Sequence, residues 1–299
     1  MIQDNVLLSL YEAFIISSNP IVIEIATQSL SEYLEINKSK ILTIISCKEE
    51  KLKHLHRIFE LLSNGNSEMQ LQVLEIVLKL TNSFSSLTMN EQMEIINNSP
   101  IYKMIFECFL IILLNRIGVQ QEILALEICF HLSCNPVFQE ILIKKNQPAL
   151  HLIISSLCSD EIPIKFYSIR ILKNLILHSE ENRKNLCSRS SLLLGNLFFL
   201  TKDKEEEKNI NLQALEIIVE LATVEENKLK FVQAGILEPL FAMSLLDLPS
   251  KSRSLIYNYV HSFNYIVIWT CSLTIFSLSK KSISFIHLQF FFVIGPFHK

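Results

Sequence analysis

One short block recurs along this chain, and a recurring block constrains a fold more than any average property does. "LQALEIIVELA" occupies residues 212–222, "LQVLEIVLKL" begins at Leu71, and "ILALEICFHL" begins at Ile123. A looser copy, "SIRILKNL", ends at Leu175, and a weaker one, "ATQSLSEY", ends at Tyr33. Taken at Tyr33, Leu80, Leu132, Leu175 and Leu221, the blocks end 47, 52, 43 and 46 residues apart. Self-similarity at a period of roughly 40–47 residues belongs to arrays of stacked helical units. One such unit cannot bury its apolar face alone, so neighbours must stack to build a continuous core. The longer interval is read as an insertion in a surface loop.

Each block has the period of a helix. Positions i, i+3 and i+7 share one helix face. In the block at 212–222 the polar residues Gln213, Glu216 and Glu220 have that spacing, and every other residue is apolar. The expected helix is buried round most of its circumference and wet along one narrow stripe. The same stripe in the other copies is Gln72, Glu75 and Lys79, then Glu127 and His131, then Arg170 and Asn174, with Gln28 and Glu32 in the weakest copy. The central glutamates therefore read as the polar edge of a buried helix, and not as catalytic groups in an apolar pocket.

Start signals fill the gaps between blocks. Asn19-Pro20 and Asn135-Pro136 pair a capping side chain with proline at the first helical position, and Ser99-Pro100 has the same form. "SEENRKNLC" follows the block ending at Leu175, and "VEENKLKFVQAGILEPLF" follows the block ending at Leu221. Each unit thus reads as a long apolar helix, a short helix and a medium helix. Only 5 glycines occur in 299 residues, too few for the phosphate-cradling loops of α/β enzymes, and the class expected is all-α.

These copies resemble the armadillo repeat, in which a third helix of the form A-L-x-x-L-x-N-L precedes x-E-N-x-x-x-Φ-x-x-x-G. "SIRILKNLILHSEENRKNL" and "ALEIIVELATVEENKLKFVQAGILEPL" are the best matches, and four to five repeats cover residues 1–247. The resemblance implies an armadillo/HEAT-like α-solenoid, a right-handed superhelix whose third helices line a concave groove. It further implies that Glu75, Glu127, Arg170 and Glu216 form one ladder along that groove, and Lys79, His131, Asn174 and Glu220 a second, with Gln72 and Gln213 beside them. Two readings of this stripe stand side by side: the solvated side of stacked helices, and a contact surface for a protein partner. Import receptors of this architecture hold basic peptides on paired tryptophans and asparagines. Only Asn174 matches such a position here, and no tryptophan lies on these helices.

No catalytic constellation is present, and no cofactor is expected. No serine sits in G-x-S-x-G. Cys129, His131 and Cys134 form C-x-H-x-x-C, but a fourth ligand at zinc spacing is missing, and on one helix Cys129 and His131 point to different faces. His54 and His56 diverge likewise. The formal net charge of −3 gives no support for nucleic-acid binding. Seven cysteines without a CxxC pair read as reduced thiols of a cytoplasmic or nuclear protein, and the first residues, with Asp4 and no basic run, do not read as a signal peptide. "KDKEEEK" at 202–208 reads as a solvated loop.

The charge is unevenly spread. Residues 1–247 carry all 30 acids and 22 bases, whereas 248–299 carry five bases, no acid and the single tryptophan, Trp269. Residues 254–279 hold no formal charge and are long enough to span a bilayer, although Asn258, His261, Asn264 and several serines dilute them. A divergent gene-model or splice-variant end, a membrane anchor, and a segment capping the solenoid all fit this atypical hydrophobic tail.

The order and spacing of four longer segments carry a closer resemblance. "HRIFELLSNGNSEMQLQVLEIVLKL", "EIINNSPIYKMIFECF", "IPIKFYSIRILKNLILHSEENRKNLC" and "ALEIIVELATVEENKLKFVQAGILEPL" are similar in sequence order to the family of proteasome non-ATPase regulatory subunit 5. That resemblance implies a chaperone in assembly of the proteasome regulatory particle base, binding an ATPase subunit; separately, a monomer is expected. The alternatives are an armadillo scaffold for another protein, and an adaptor tethered through residues 254–279.

Overall fold

The structure is a computed structural model that describes residues 20–36, 60–62, 65–85, 118–201 (except 146, 178, 190 and 191) and 208–234, with isolated positions at 9, 10, 13, 16, 17, 19, 88, 90 and 92. The chain divides into two compact units, Met1–Ile217 and Ile218–Lys299. Among the described residues every regular element is helical. The composition break at 247/248, the tail, His54, His56, Ser99-Pro100 and residues 202–207 lie outside the described residues.

In the first unit the recurring block is a helix at every copy: α1 (Pro20–Ile36), α2 (Ser67–Ser85), α3 (Val119–Leu132) and α6 (Ile162–Ile176). A short helix α4 (Pro136–Glu140) follows α3, runs on as a π-helical turn over Ile141–Lys145, and leads to α5 (Gln147–Ser156). After α6 come α7 (Glu180–Arg189), α8 (Leu192–Leu200) and α9 (Lys208–Ala222), the fifth copy. A long helix followed by two shorter ones recurs from α3 to α9, but the expected short-then-medium order does not hold after α6, where α7 has 10 residues and α8 has 9.

The caps form as the sequence predicts. Asn135 Oδ1 accepts from the Val137 backbone N–H at 2.9 Å with Pro136 behind it, and Asn19 Oδ1 accepts from Ile21 N–H at 3.0 Å. Asn66 and Ser179 do the same for α2 and α7, accepting from Met69 N–H at 2.8 Å and Asn182 N–H at 3.1 Å. Each cap satisfies a backbone donor that the first helical turn leaves without a partner.

Burial follows the repeated phase. In α6, Ile164, Ile169, Ile171, Leu172, Leu175 and Ile176 are buried; in α3, Leu124, Ala125, Leu126, Ile128, Cys129 and Leu132 are. Each full-size aliphatic side chain taken out of water this way contributes about 1.5–3 kcal/mol. α1 packs on α2, α2 on α3, and α3 on α6. Like ends meet. At their starts, Gln121 Nε2 of α3 donates to Ser67 Oγ of α2 at 2.6 Å. Near their ends, Ser85 Oγ of α2 donates to the His131 carbonyl of α3 at 3.2 Å. α2 and α3 therefore run parallel.

Buried amide side chains stitch successive repeats together. Asn182 of α7 reaches back to the end of α6, its Nδ2 donating to the Leu175 carbonyl at 3.0 Å and to Gln139 Oε1 at 3.3 Å. Gln139 in turn donates to the Ser133 carbonyl at 2.8 Å and to the Asn174 carbonyl at 3.1 Å. Asn135 Nδ2 donates to Gln92 Oε1 at 2.7 Å one repeat earlier. The carbonyls at a helix end have no partner within the helix, so these amides close helix ends that burial would otherwise leave unsatisfied.

The second unit is described over residues 218–234. The last turn of α9 leads into α10 (Glu225–Gln233), with Ile218, Leu221, Ala222, Val224 and Phe231 buried. Asn227, the counterpart of Asn182 in the E-E-N motif, again sends its Nδ2 back to a helix end, here the Leu221 carbonyl at 3.0 Å.

Candidate protein-binding surface

The polar stripe appears on the helices as a set of exposed and half-buried positions among buried neighbours. In α2, Glu75 is exposed while Gln72 and Lys79 are half-buried; Val73, Leu74, Ile76 and Val77 around them are buried. In α3, Glu127 and His131 are half-buried, and in α6, Arg170 and Asn174 are. In α9, Gln213 and Glu216 are half-buried, and so is Glu220, which belongs to the second unit. Gln28 and Glu32 of α1 are both exposed and hydrogen-bonded to each other at 3.4 Å.

The stripe is wider than the polar residues alone. Leu71, Leu78, Phe130, Leu212 and Val219, each one residue before a stripe position, are also only half-buried. In α6 the widening adds Phe166, Tyr167 and Lys173. Sequence reasoning missed these because it sorted residues by polarity. Their helical spacing was available as a signal: Tyr167 lies three residues before Arg170 and Lys173 three after it.

The α3–α6 segment is the most structured part of this face. The Arg170 guanidinium carbon lies 4.1 Å from the centroid of the Phe130 ring and 5.1 Å from that of Phe166. Phe130 also meets Tyr167 at 6.2 Å between centroids and His131 at 5.2 Å. The Tyr167 hydroxyl faces the Glu127 carboxylate. Burial first, then the charge and hydrogen bonding of Glu127, hold that phenol above its ordinary pKa. Burial lowers the pKa of His131, with the Arg170 cation lowering it further and Glu127 opposing. Burial raises that of Cys134, against the pull of Arg170. Desolvation penalises the charged form, so burial favours the neutral forms of His131, Cys134 and Tyr167 in this patch.

Further along, Lys173 Nζ lies 2.5 Å from Glu216 Oε2. Asn174, the one match to an import-receptor asparagine, points its amide at the neighbouring helix end, donating to Ser133 Oγ at 2.8 Å and Cys134 Sγ at 3.4 Å. Of the twelve stripe residues named from sequence, the structure thus brings Glu127, His131, Arg170 and Asn174 into one contiguous patch. Glu75 stands exposed on α2, and Glu216 is tied to a lysine the stripe did not include.

The C-x-H-x-x-C residues separate: Cys129 is buried in the core, His131 is half-buried on the open side, and Cys134 is exposed beyond the helix end. Among the described residues no group of three or more His, Cys, Asp or Glu is arranged to hold a metal ion. No described helix is long and apolar enough to cross a membrane.

No protein-family model matches the chain, and neither does any curated protein. Solved structures do. The chain is similar to computationally designed armadillo repeat proteins for modular peptide recognition, with a TM-score of 0.62 at 16% identity over 86% of this chain and 100% of that one. It is similar to a designed armadillo repeat protein in complex with the peptide (KR)4, with a TM-score of 0.60 at 16% identity over 86% of this chain and 99% of that one. A further designed armadillo repeat protein gives a TM-score of 0.57 at 15% identity, over 86% and 100% of the two chains. Likeness at this identity speaks to architecture, and together with the five copies of the block and the amide seam between them it establishes an all-α, armadillo-like solenoid.

Proposed function

We propose that the chain is a non-catalytic, protein-binding α-solenoid whose stripe-bearing helices receive an extended segment of a partner protein. The observation that carries this reading is the row of exposed and half-buried polar and aromatic side chains on α2, α3 and α6, helices that pack in succession with like ends together. A solenoid works by presenting such a row along one side. The architecture shared with designed proteins made for peptide recognition supports it. Residues of this surface in the first unit are Gln72, Glu75, Lys79, Glu127, His131, Arg170 and Asn174, with Gln213 and Glu216 on α9; Glu220 is the stripe residue of the second unit.

The finer reading follows from the order of sequence segments. On that resemblance the partner is an ATPase subunit of the proteasome, and the chain is a chaperone in assembly of the regulatory particle base; the cysteine usage adds the reading of a cytoplasmic or nuclear protein. The test is a pulldown from cell extract with the full chain as bait, probed for proteasomal ATPases. Their recovery is the expected result. Their absence, from a bait that captures other proteins, removes the chaperone reading and leaves a scaffold for a different protein.

A further inference from the structure

Arg170 interrupts the acidic row of the stripe, and its surroundings differ from those of the other charged residues on this face. Its guanidinium carbon lies over two phenyl rings, Phe130 of α3 at 4.1 Å and Phe166 of α6 at 5.1 Å. Cation–π contact of this kind holds the guanidinium without spending its N–H edge on an acceptor. Among the described residues that edge makes no hydrogen bond and no ion pair within 4.0 Å. The anionic groups that would be expected to neutralise it are engaged elsewhere. Glu127 faces the Tyr167 hydroxyl, and Glu216 pairs with Lys173 at 2.5 Å.

A surface arginine with no other role ordinarily extends into water, where its side chain samples many rotamers. Here contact with the two rings holds the half-buried side chain against them, while its donors remain available. A guanidinium fork matches a carboxylate through two parallel N–H···O bonds, stronger than neutral hydrogen bonds and fixed in direction. Holding the fork beforehand removes part of the ordering cost of binding. The neighbours fit that use: His131 is kept neutral by burial and so adds no competing cation, and Tyr167 and Phe130 offer apolar surface on which a partner's backbone or aliphatic side chain can rest.

We infer that Arg170, held against Phe130 and Phe166, is a recognition point for the carboxylate of an aspartate or glutamate in the extended partner segment that this face receives. This rests on the protein-binding reading above and specifies the charge of its ligand. A uniformly basic peptide such as (KR)4 would place a cation against Arg170 and be repelled there.

The test is selection of random decapeptides displayed on phage against the full chain, followed by affinity measurement of the enriched peptides on the wild type, Arg170→Gln and Arg170→Lys. Far-ultraviolet circular dichroism checks that both variants keep their helices. The expected result is an acidic residue at one fixed position of the enriched peptides. Arg170→Gln then weakens binding at least tenfold, and Arg170→Lys, which keeps the charge but not the fork, weakens it less. Replacing the peptide's acid by its amide should cost the wild type a similar factor and cost Arg170→Gln little. Enriched peptides with no acidic preference, or affinity unchanged in Arg170→Gln, overturn the inference and leave the protein-binding reading intact. Failure to enrich any peptide counts against both. If the acidic peptides do not bind while phosphoserine versions do, the carboxylate assignment is wrong and the site is one for phosphate.

Discussion

Glu75 and Glu127 occupy the same place in two copies of one helix, yet one stands in solvent and the other faces a tyrosine hydroxyl. The difference comes from the next repeat. Three residues before the stripe position, α6 carries Tyr167, whose hydroxyl reaches back to Glu127. The matching residue of α3, which packs on the helix of Glu75, is Leu124, buried and without a polar atom. A stripe residue's surroundings are therefore set by a side chain about forty residues away, and copies that share the central glutamate diverge in its environment. The α2 part of the face is open carboxylate, whereas the α3–α6 part is an aromatic and guanidinium cluster.

The contrast implies that stability resides in the buried side of both regions, and that the open side differs mainly in what it is free to bind. Ile171→Ala, which empties a fully buried site behind the α6 stripe, should cost about 2–5 kcal/mol in urea unfolding. A loss under about 1 kcal/mol would mean that the α3–α6 core is loosely packed. Asn182→Ala removes the amide that closes the α6 end and meets Gln139, leaving buried acceptors without a donor. The expected cost is about 1–3 kcal/mol, read as a lowered unfolding midpoint.

Tyr167→Phe makes the α3–α6 region more like α2 by deleting the hydroxyl that faces Glu127. We expect a loss of about 0.5–1.5 kcal/mol, and an effect of Glu127→Gln that shrinks when measured in the Tyr167→Phe background. If the two substitutions are additive, the pair does not interact.

Acidification separates the two regions as well. The pKa of His131 is lowered in the folded protein from its ordinary value of 6.5, chiefly by burial. The unfolded chain therefore takes up the proton first. The stabilisation is complete above that ordinary value and is lost as pH falls through it toward the lowered one. Thermal unfolding between pH 7.5 and 5 should show this slope flattened in His131→Gln.

The smallest effect is expected on α2. Glu75→Gln touches an exposed side chain and should change stability by less than about 0.5 kcal/mol. A larger change would show that Glu75 has structural work comparable to that of Glu127.

Sequence alone determined the helices, their grouping in units and the face each turns outward, because a 3.6-residue period and a capping asparagine act over a few neighbouring residues. The caps at Asn19 and Asn135 and the buried faces of α2, α3, α6 and α9 were legible in this way. The import-like match at Asn174 was legible too, but its amide turns to Ser133 in the adjacent helix, 41 residues away in sequence. Only the tertiary structure decided such pairings: Arg170 over Phe130, Lys173 with Glu216, and Asn182 with Gln139. They depend on how far one repeat advances against the next, and that offset is set by packing between helices and not by any pattern within one of them.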